Sequence, residues 1–208
     1  MFNMNKSVIS YITRDGKEGN LNVNLFNMKK INNLLSKWGF NCYEVENNLS
    51  FVHFKNVIFE QSSYFYAKDV VVIFENCIFK ESSLTIDGGS VEIINPVIFR
   101  NNNGLRGLKE INIANADDVR VVVNDNKPIS YKISAQNIEI DGGKSYFGSI
   151  DGHSIAGKNI FLNNLEVFNA FWLEKVENLS LCNSVFKGGS GLWLNIINNL
   201  YLNNVQLS

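Results

Sequence analysis

The sequence predicts an all-β protein, a parallel β-helix (solenoid) with a capping unit at its N-terminal end. The first observation is a repeat of about 20 residues, a period typical of stacked structural units. Its clearest copies are the similar segments at residues 56–59, 76–79 and 96–99. The second observation is that the apolar runs in each copy are short and alternating, which favours strands over helices.

The repeat continues along most of the chain. Phe54, Phe74 and Ile94 keep the same interval, and Ala114 falls on the same phase in a blunter fourth copy. Further copies are predicted at residues 138–142, 162–165, 181–186 and 202–205. We therefore expect about eight coils of parallel strands. They should stack at the ordinary strand spacing of about 4.8 Å and share one continuous core.

Asparagine recurs at equivalent places in successive copies. Asn adopts left-handed backbone angles readily and caps turns with its side chain, so these positions are predicted to be coil corners. Stacked Asn side chains also hydrogen-bond to each other along a ladder. An AT-rich genome also enriches Asn, Lys and Ile, but it does not explain their 20-residue phase.

The units that begin at Asn56, Asn76, Asn164 and Asn183, with their flanking apolar runs, resemble the right-handed parallel β-helix (pectate-lyase-like) superfamily. The resemblance covers residues 49–208 and concerns the fold alone. The structural alternative is the square coil of pentapeptide-repeat proteins, since some apolar residues step by five. That step fails at Asp69, so the pectate-lyase-like coil is favoured.

The first 48 residues are predicted to form a separate unit that caps the solenoid at residues 49–208. Residues 7–12 and 21–25 read as two strands of a hairpin around Asp15 and Gly16. Asn27 is predicted to cap a helix at residues 28–38, which would end at Gly39. The apolar stripe of this helix would pack on the first coil. A strand at residues 40–45 would lead into the solenoid.

Composition excludes several classes of function. The chain has a formal net charge of −1 and no basic patch, so nucleic acid is not an expected partner. No apolar run reaches the length of a membrane span. Cys42, Cys77 and Cys182 lack CxxC spacing and are expected to be reduced, in a cytoplasmic protein. A secreted protein whose leader has been removed would look the same. With two histidines, neither a metal site nor a cofactor is expected.

The best candidate site is a pair of tryptophans on neighbouring coils. Alternation predicts that Trp172 and Trp193 both point outward, one above the other. Asp151, His153 and Glu174 would lie near the same column. Exposed tryptophans suit sugar rings or a protein partner. The alternative is that the tryptophans pack structurally, because a register error of one residue would place them on the opposite face.

The favoured function is a non-catalytic binding protein that uses one face of the solenoid for a carbohydrate or a protein partner. The alternative is a small polysaccharide lyase or glycoside hydrolase, with Asp151, His153 and Glu174 as its catalytic residues. A third hypothesis is a self-assembling structural or phage-related protein that associates end to end through its C-terminal coil, where strand edges are left unpaired.

Overall fold

A computed structural model describes residues 6–23, 34–38, 42–59, 64–79, 83–98, 109–124, 128–146, 155–168, 171–187 and 192–208. All regular structure in these ranges is β-strand, and none of it is a helix. In this part of the chain, accordingly, no helix has the length and hydropathy of a membrane span.

The strands of the N-terminal third are β1 (Ser7–Thr13), β2 (Glu18–Val23), β3 (Leu35–Trp38), β4 (Cys42–Val45), β5 (Leu49–Lys55), β6 (Ile58–Phe59) and β7 (Tyr64–Tyr66). The middle of the chain contributes β8 (Val71–Glu75), β9 (Ile78–Phe79), β10 (Ser83–Asp87), β11 (Ser90–Ile94), β12 (Val97–Ile98), β13 (Lys109–Val122) and β14 (Pro128–Asp141). The C-terminal third contributes β15 (Lys144–Tyr146), β16 (Ile155–Ala156), β17 (Asn159–Asn163), β18 (Glu166–Phe168), β19 (Phe171–Lys187) and β20 (Leu192–Leu207).

The strands stack in parallel and coil into a β-solenoid of about five turns. Phe54 of β5 lies opposite Phe74 of β8, at the 20-residue interval that the sequence repeats. The same parallel pairing places Leu162 of β17 opposite Leu181 of β19, and Leu181 opposite Leu202 of β20. The predicted parallel coil is therefore confirmed, while the expected number of about eight coils stays a prediction.

One copy of the repeat lies at a different phase from the one that the sequence predicts. The prediction aligned Ala114 with Ile94, but Ile94 of β11 lies opposite Val122 of β13. Ala114 lies instead opposite Asp87 of β10. The cause is a longer coil between β11 and the second half of β13, which moves the fourth copy along the chain by eight residues.

The core is built from side chains that alternate inward along each strand. Phe54 and Phe74 are fully buried, and their rings stack with centroids 5.3 Å apart. Phe59 and Phe79 stack in the same way at 5.2 Å, and Phe65 packs edge-on against Phe59 at 5.0 Å. Phe54 and Phe59 thus each contact the equivalent ring of the next coil, because the repeat keeps residue type as well as phase at these two positions.

The recurring asparagines lie at corners of the coil, as predicted. They adopt positive φ angles, a left-handed conformation that Asn tolerates better than most residues. The residues with this conformation are Asn56, Asn76, Asn95, Asn115, Asn164, Asn183 and Asn204. Their φ angles of 47° to 56° explain why the sequence repeats Asn at these positions.

The N-terminal unit is a hairpin, as predicted, but its helix is wrong in the residues that can be assessed. β1 and β2 pair antiparallel, and β1 also pairs antiparallel with β5 along the first coil. The predicted helix was to end at Trp38, yet Leu35–Trp38 is the strand β3, paired antiparallel with β4. Pairing with β4 and burial of Leu35 against the core override the local helical pattern. Residues 28–33 lie outside the described residues.

Candidate functional site

An open groove with a volume of about 690 Å³ runs over the outer face of strands β11, β13, β14, β17, β19 and β20. Two rows of side chains define it. The first row, called here the amide ladder, consists of Asp118, Asn137, Asn159, Asn178 and Asn199. The second row, called the central row, consists of Glu92, Arg120, Glu139, Phe161, Ser180 and Tyr201.

Strand alternation and pairing position both rows. On β14, Asn137 and Glu139 lie two residues apart and therefore share one face, while Ile138 and Ile140 face the core. Parallel pairing places Glu139 directly between Arg120 and Phe161. Each row thus runs along the stacking axis and contains one side chain from each coil. Neighbours within a row are therefore about 4.8 Å apart.

The amide ladder is a continuous chain of side-chain hydrogen bonds. Each asparagine donates from its Nδ2 to the Oδ1 of the residue one coil earlier. The distances are 2.7 Å from Asn199 to Asn178, 2.6 Å from Asn178 to Asn159, 2.7 Å from Asn159 to Asn137 and 2.7 Å from Asn137 to Asp118. The Asp118 carboxylate is the final acceptor, so the Nδ2 donors of all four asparagines point in one direction.

Arg120 holds the two glutamates of the central row. Its Nη1 forms an ion pair with Glu92, and its Nε lies 3.3 Å from the Oε1 of Glu139. The Glu92 carboxylate, together with that of Glu139, raises the pKa of the Arg120 guanidinium above its usual value, against a smaller opposing effect of burial. The described residues of the groove lining carry three carboxylates and one guanidinium, so their net charge is negative.

The C-terminal part of the central row is aromatic. Phe161 of β17 and Tyr201 of β20 are 38% and 57% exposed. Ser180 of β19 lies directly between them, opposite both in register. Two accessible rings therefore stand on either side of a short polar side chain.

The groove offers amides, carboxylates and aromatic rings, which are groups that bind ligands and do not by themselves imply a reaction. No family model, curated protein or solved structure matches this chain. Within the residues that the structure describes, no three His, Cys, Asp or Glu side chains are grouped so as to hold a metal ion. The geometry of the groove is accordingly the basis for assigning a function.

The side chains of the site residues predicted from the sequence lie outside the described part of the structure. Trp172 and Trp193 are directly opposite each other on β19 and β20, but nothing is described of their side chains. Glu174 lies opposite Ala156 and Asn195, and its side chain is likewise outside the described part. Asp151 and His153 fall in residues 147–154, which are not described. The two predicted sites therefore stay predictions.

Sequence reasoning missed the central row of the groove. A signal for the amide ladder was present, because its asparagines recur at intervals of 22, 19 and 21 residues. Stacked Asn side chains had been predicted in general, and the ladder confirms that expectation. The central row changes residue type at every coil, so no repeat marks it.

Proposed function

We propose that this protein is a non-catalytic carbohydrate-binding solenoid whose groove holds an extended, uncharged glycan along the stacking axis. The observation that carries the proposal is the amide ladder, because it presents the same hydrogen-bonding group on four successive strands. A polymer with hydroxyl groups at a regular spacing is the kind of ligand that such a row matches.

The asparagines of the amide ladder keep hydrogen-bonding groups that a ligand can use. An asparagine amide carries two N–H donors and a carbonyl oxygen with two lone pairs. The ladder bonds of Asn159 and Asn178 each use one N–H and one lone pair. One donor and one acceptor site per asparagine remain, repeated at about 4.8 Å. Sugar hydroxyls both donate and accept, so they can pair with either.

The charge of the groove favours an uncharged glycan over an acidic one. Among the described residues that line the groove, Glu92, Asp118 and Glu139 face one cation, Arg120. A uronate polymer or a nucleic acid would bring its charges toward a surface of the same sign, which opposes association. An uncharged chain avoids this repulsion and keeps its hydroxyl contacts.

Two finer assignments belong to the same proposal. We assign the coil to the pectate-lyase-like superfamily, and we assign it a right-handed turn. The uneven intervals between paired residues favour this form over a square pentapeptide coil, whose turns are uniform.

The test is native electrophoresis through gels that contain a neutral or an acidic polysaccharide, followed by measurement of polymer length. We expect retardation by neutral polymers, with the polymer left intact, and none by polygalacturonate. Asn159→Ala should reduce the retardation because it removes one step of the amide ladder. Asn163→Ala is the matched control, since Asn163 lies on the same strand and bonds to Asp141 outside the groove.

The other outcomes point to the remaining hypotheses. A shortened polymer would favour the polysaccharide lyase or glycoside hydrolase, with Asp151, His153 and Glu174 as the first residues to substitute. Absence of retardation in every gel would overturn the carbohydrate proposal and leave a protein partner, with Trp172 and Trp193 as candidate contacts. End-to-end self-association through the C-terminal coil is a separate prediction, and light scattering over a concentration series tests it.

A further inference from the structure

We propose that the amide ladder holds one sugar ring on each of its five strands, so that the groove takes an extended glycan of five rings. The inference rests on the proposed function, because it concerns the same groove. It adds the length of chain that the ladder contacts and the linkage that this chain must have. The expected class of ligand is a chain whose rings are joined through equatorial bonds at opposite carbons, as in a β-1,4 glucan.

The amide ladder keeps a constant step although the coils differ in length. From Asp118 to Asn199, its members are separated along the chain by 19, 22, 19 and 21 residues. The four ladder bonds nevertheless all measure 2.6 or 2.7 Å. Each member also lies directly opposite the next in the parallel strand pairing. This pairing sets the step at about 4.8 Å and leaves the extra residues to other parts of each coil.

The same hydrogen-bonding groups recur at each step of the ladder. All five of its residues are exposed. The interior members Asn137, Asn159 and Asn178 each donate one N–H to the earlier coil and accept one from the later coil, so their amides point the same way along the stacking axis. The second N–H and the second lone pair of each amide therefore recur at the strand spacing. The central row changes residue type at every coil and sets no such repeat.

A glycan matches this row when its rings advance along a line by the same step. Equatorial bonds at C1 and C4 leave a pyranose in opposite directions, so successive rings stay in line and advance by about the strand spacing. Each ring carries hydroxyl groups on both edges, so one of them faces the ladder at every step even where alternate rings are turned over. In an α-1,4 glucan the axial bond at C1 bends the chain at each ring, and its hydroxyls leave the line of the ladder.

The experiment is calorimetric titration of the full chain with β-1,4-linked glucose oligomers of three to six rings. We expect affinity to rise by about twofold to tenfold for each added ring up to five, the range for one hydrogen bond. The sixth ring should add no more than about twofold, because all five members of the ladder are then occupied. The α-1,4-linked glucose hexamer is the matched control ligand, with the same sugar in a different linkage. It should bind at least about tenfold more weakly than the β-linked hexamer.

A variant that shortens the ladder tests the count directly. Asn199→Ala removes the last member and breaks one ladder bond. It should move the plateau from five rings to four and leave affinity for the four-ring oligomer within about twofold of the wild-type value. Asn203→Ala is the matched control, because Asn203 is exposed on the same strand and does not line the groove. This control should keep the plateau at five rings.

The outcomes separate this inference from the proposed function. Equal affinity for the α-linked and β-linked hexamers overturns the match of one ring to each strand but leaves the proposed function standing. A plateau at another length, a plateau that stays at five in Asn199→Ala, or binding to polysaccharides alone does the same. If Asn199→Ala does not fold, as judged by circular dichroism, the wild-type length series and the linkage comparison decide the matter. Absence of binding to every oligomer and every neutral polysaccharide overturns both.

Discussion

Asn178 donates its side-chain amide to the Oδ1 of Asn159 across 2.6 Å and accepts from Asn199 across 2.7 Å. The two bonds make Asn178 an interior member of a row that ends at the Asp118 carboxylate. Hydrogen bonds in such a row polarise one another, because each amide is donor and acceptor at once. The row fixes its side chains in one orientation even though they are exposed, which prepares the groove for a ligand.

Removal of an interior member should therefore destabilise the fold as well as the groove. Asn178→Ala breaks two side-chain hydrogen bonds, each with a typical net contribution of about 0.5–1.5 kcal/mol. We expect the free energy of unfolding to fall by about 1–2 kcal/mol in urea titrations. The double variant with Asn159→Ala should cost less than the sum of the two single changes, since both remove the same bond. Strict additivity would show that the bond between Asn178 and Asn159 contributes nothing measurable to stability.

The corner asparagines should respond to substitution according to their backbone angle. Asn76 has a φ of 51°, where an alanine side chain is strained by about 1–2 kcal/mol and glycine is not. We expect Asn76→Ala to unfold at lower urea concentration than Asn76→Gly. Asn137, which lies within β14, is the control, and there glycine should be the more destabilising residue. The same order at both positions would contradict the role given to the corner asparagines.

The amide ladder and the corner asparagines also show which features of the fold can be predicted from the sequence and which cannot. The repeat predicts the parallel pairing of Phe54 with Phe74 and the corner at Asn76, because residue type and phase recur together. The helical pattern before the repeat is misleading at β3, where Leu35 fits a helical stripe and a buried strand equally well, and pairing with β4 decides. The repeat has its own limit. It fails across the lengthened coil between Val91 and Val119, since register there depends on partners and not on a fixed interval.

The sequence does not predict the groove, for a related reason. Its central row has Glu92, Arg120, Phe161 and Tyr201 at one phase, and these side chains share no chemistry that a repeat would display. Their neighbourhood follows only from the observed pairing of each strand with the next. The amide ladder, by contrast, repeats its residue type and was predictable in kind.

The assignment of inner and outer faces can be tested with one residue type. Phe74 is fully buried and stacks on Phe54, whereas Phe161 is 38% exposed in the groove. Phe74→Ala should lower the free energy of unfolding by about 3–5 kcal/mol, the usual cost of removing a core Phe. Phe161→Ala should change it by no more than about 0.5 kcal/mol. Similar losses in urea titrations of the two variants would mean that Phe161 packs in the core and that the groove is misassigned.

Cys77 should make the fold sensitive to alkaline pH. Burial raises the pKa of its thiol from 9.0 to about 12, and the Sγ donates to the backbone carbonyl of Phe54 at 3.2 Å. Below pH 9 the thiol is protonated in both the folded and the unfolded chain, so its contribution is fully present. As the pH rises above 9, the unfolded chain loses this proton first, and stability falls until the folded thiol ionises near pH 12.

The loss expected from this one thiol is about 1 kcal/mol between pH 9 and pH 10. Burial also raises the pKa of Tyr43 and Tyr131 above 10.0, so comparison at higher pH would mix their ionisation with that of Cys77. Urea titrations of the wild type and of Cys77→Ala at pH 8, 9 and 10 isolate the effect. Cys77→Ala should be less stable at pH 8 because of the cavity it leaves, but its stability should decline less between pH 9 and 10. Parallel declines in the two proteins would show that Cys77 ionises as readily in the folded chain as in the unfolded one.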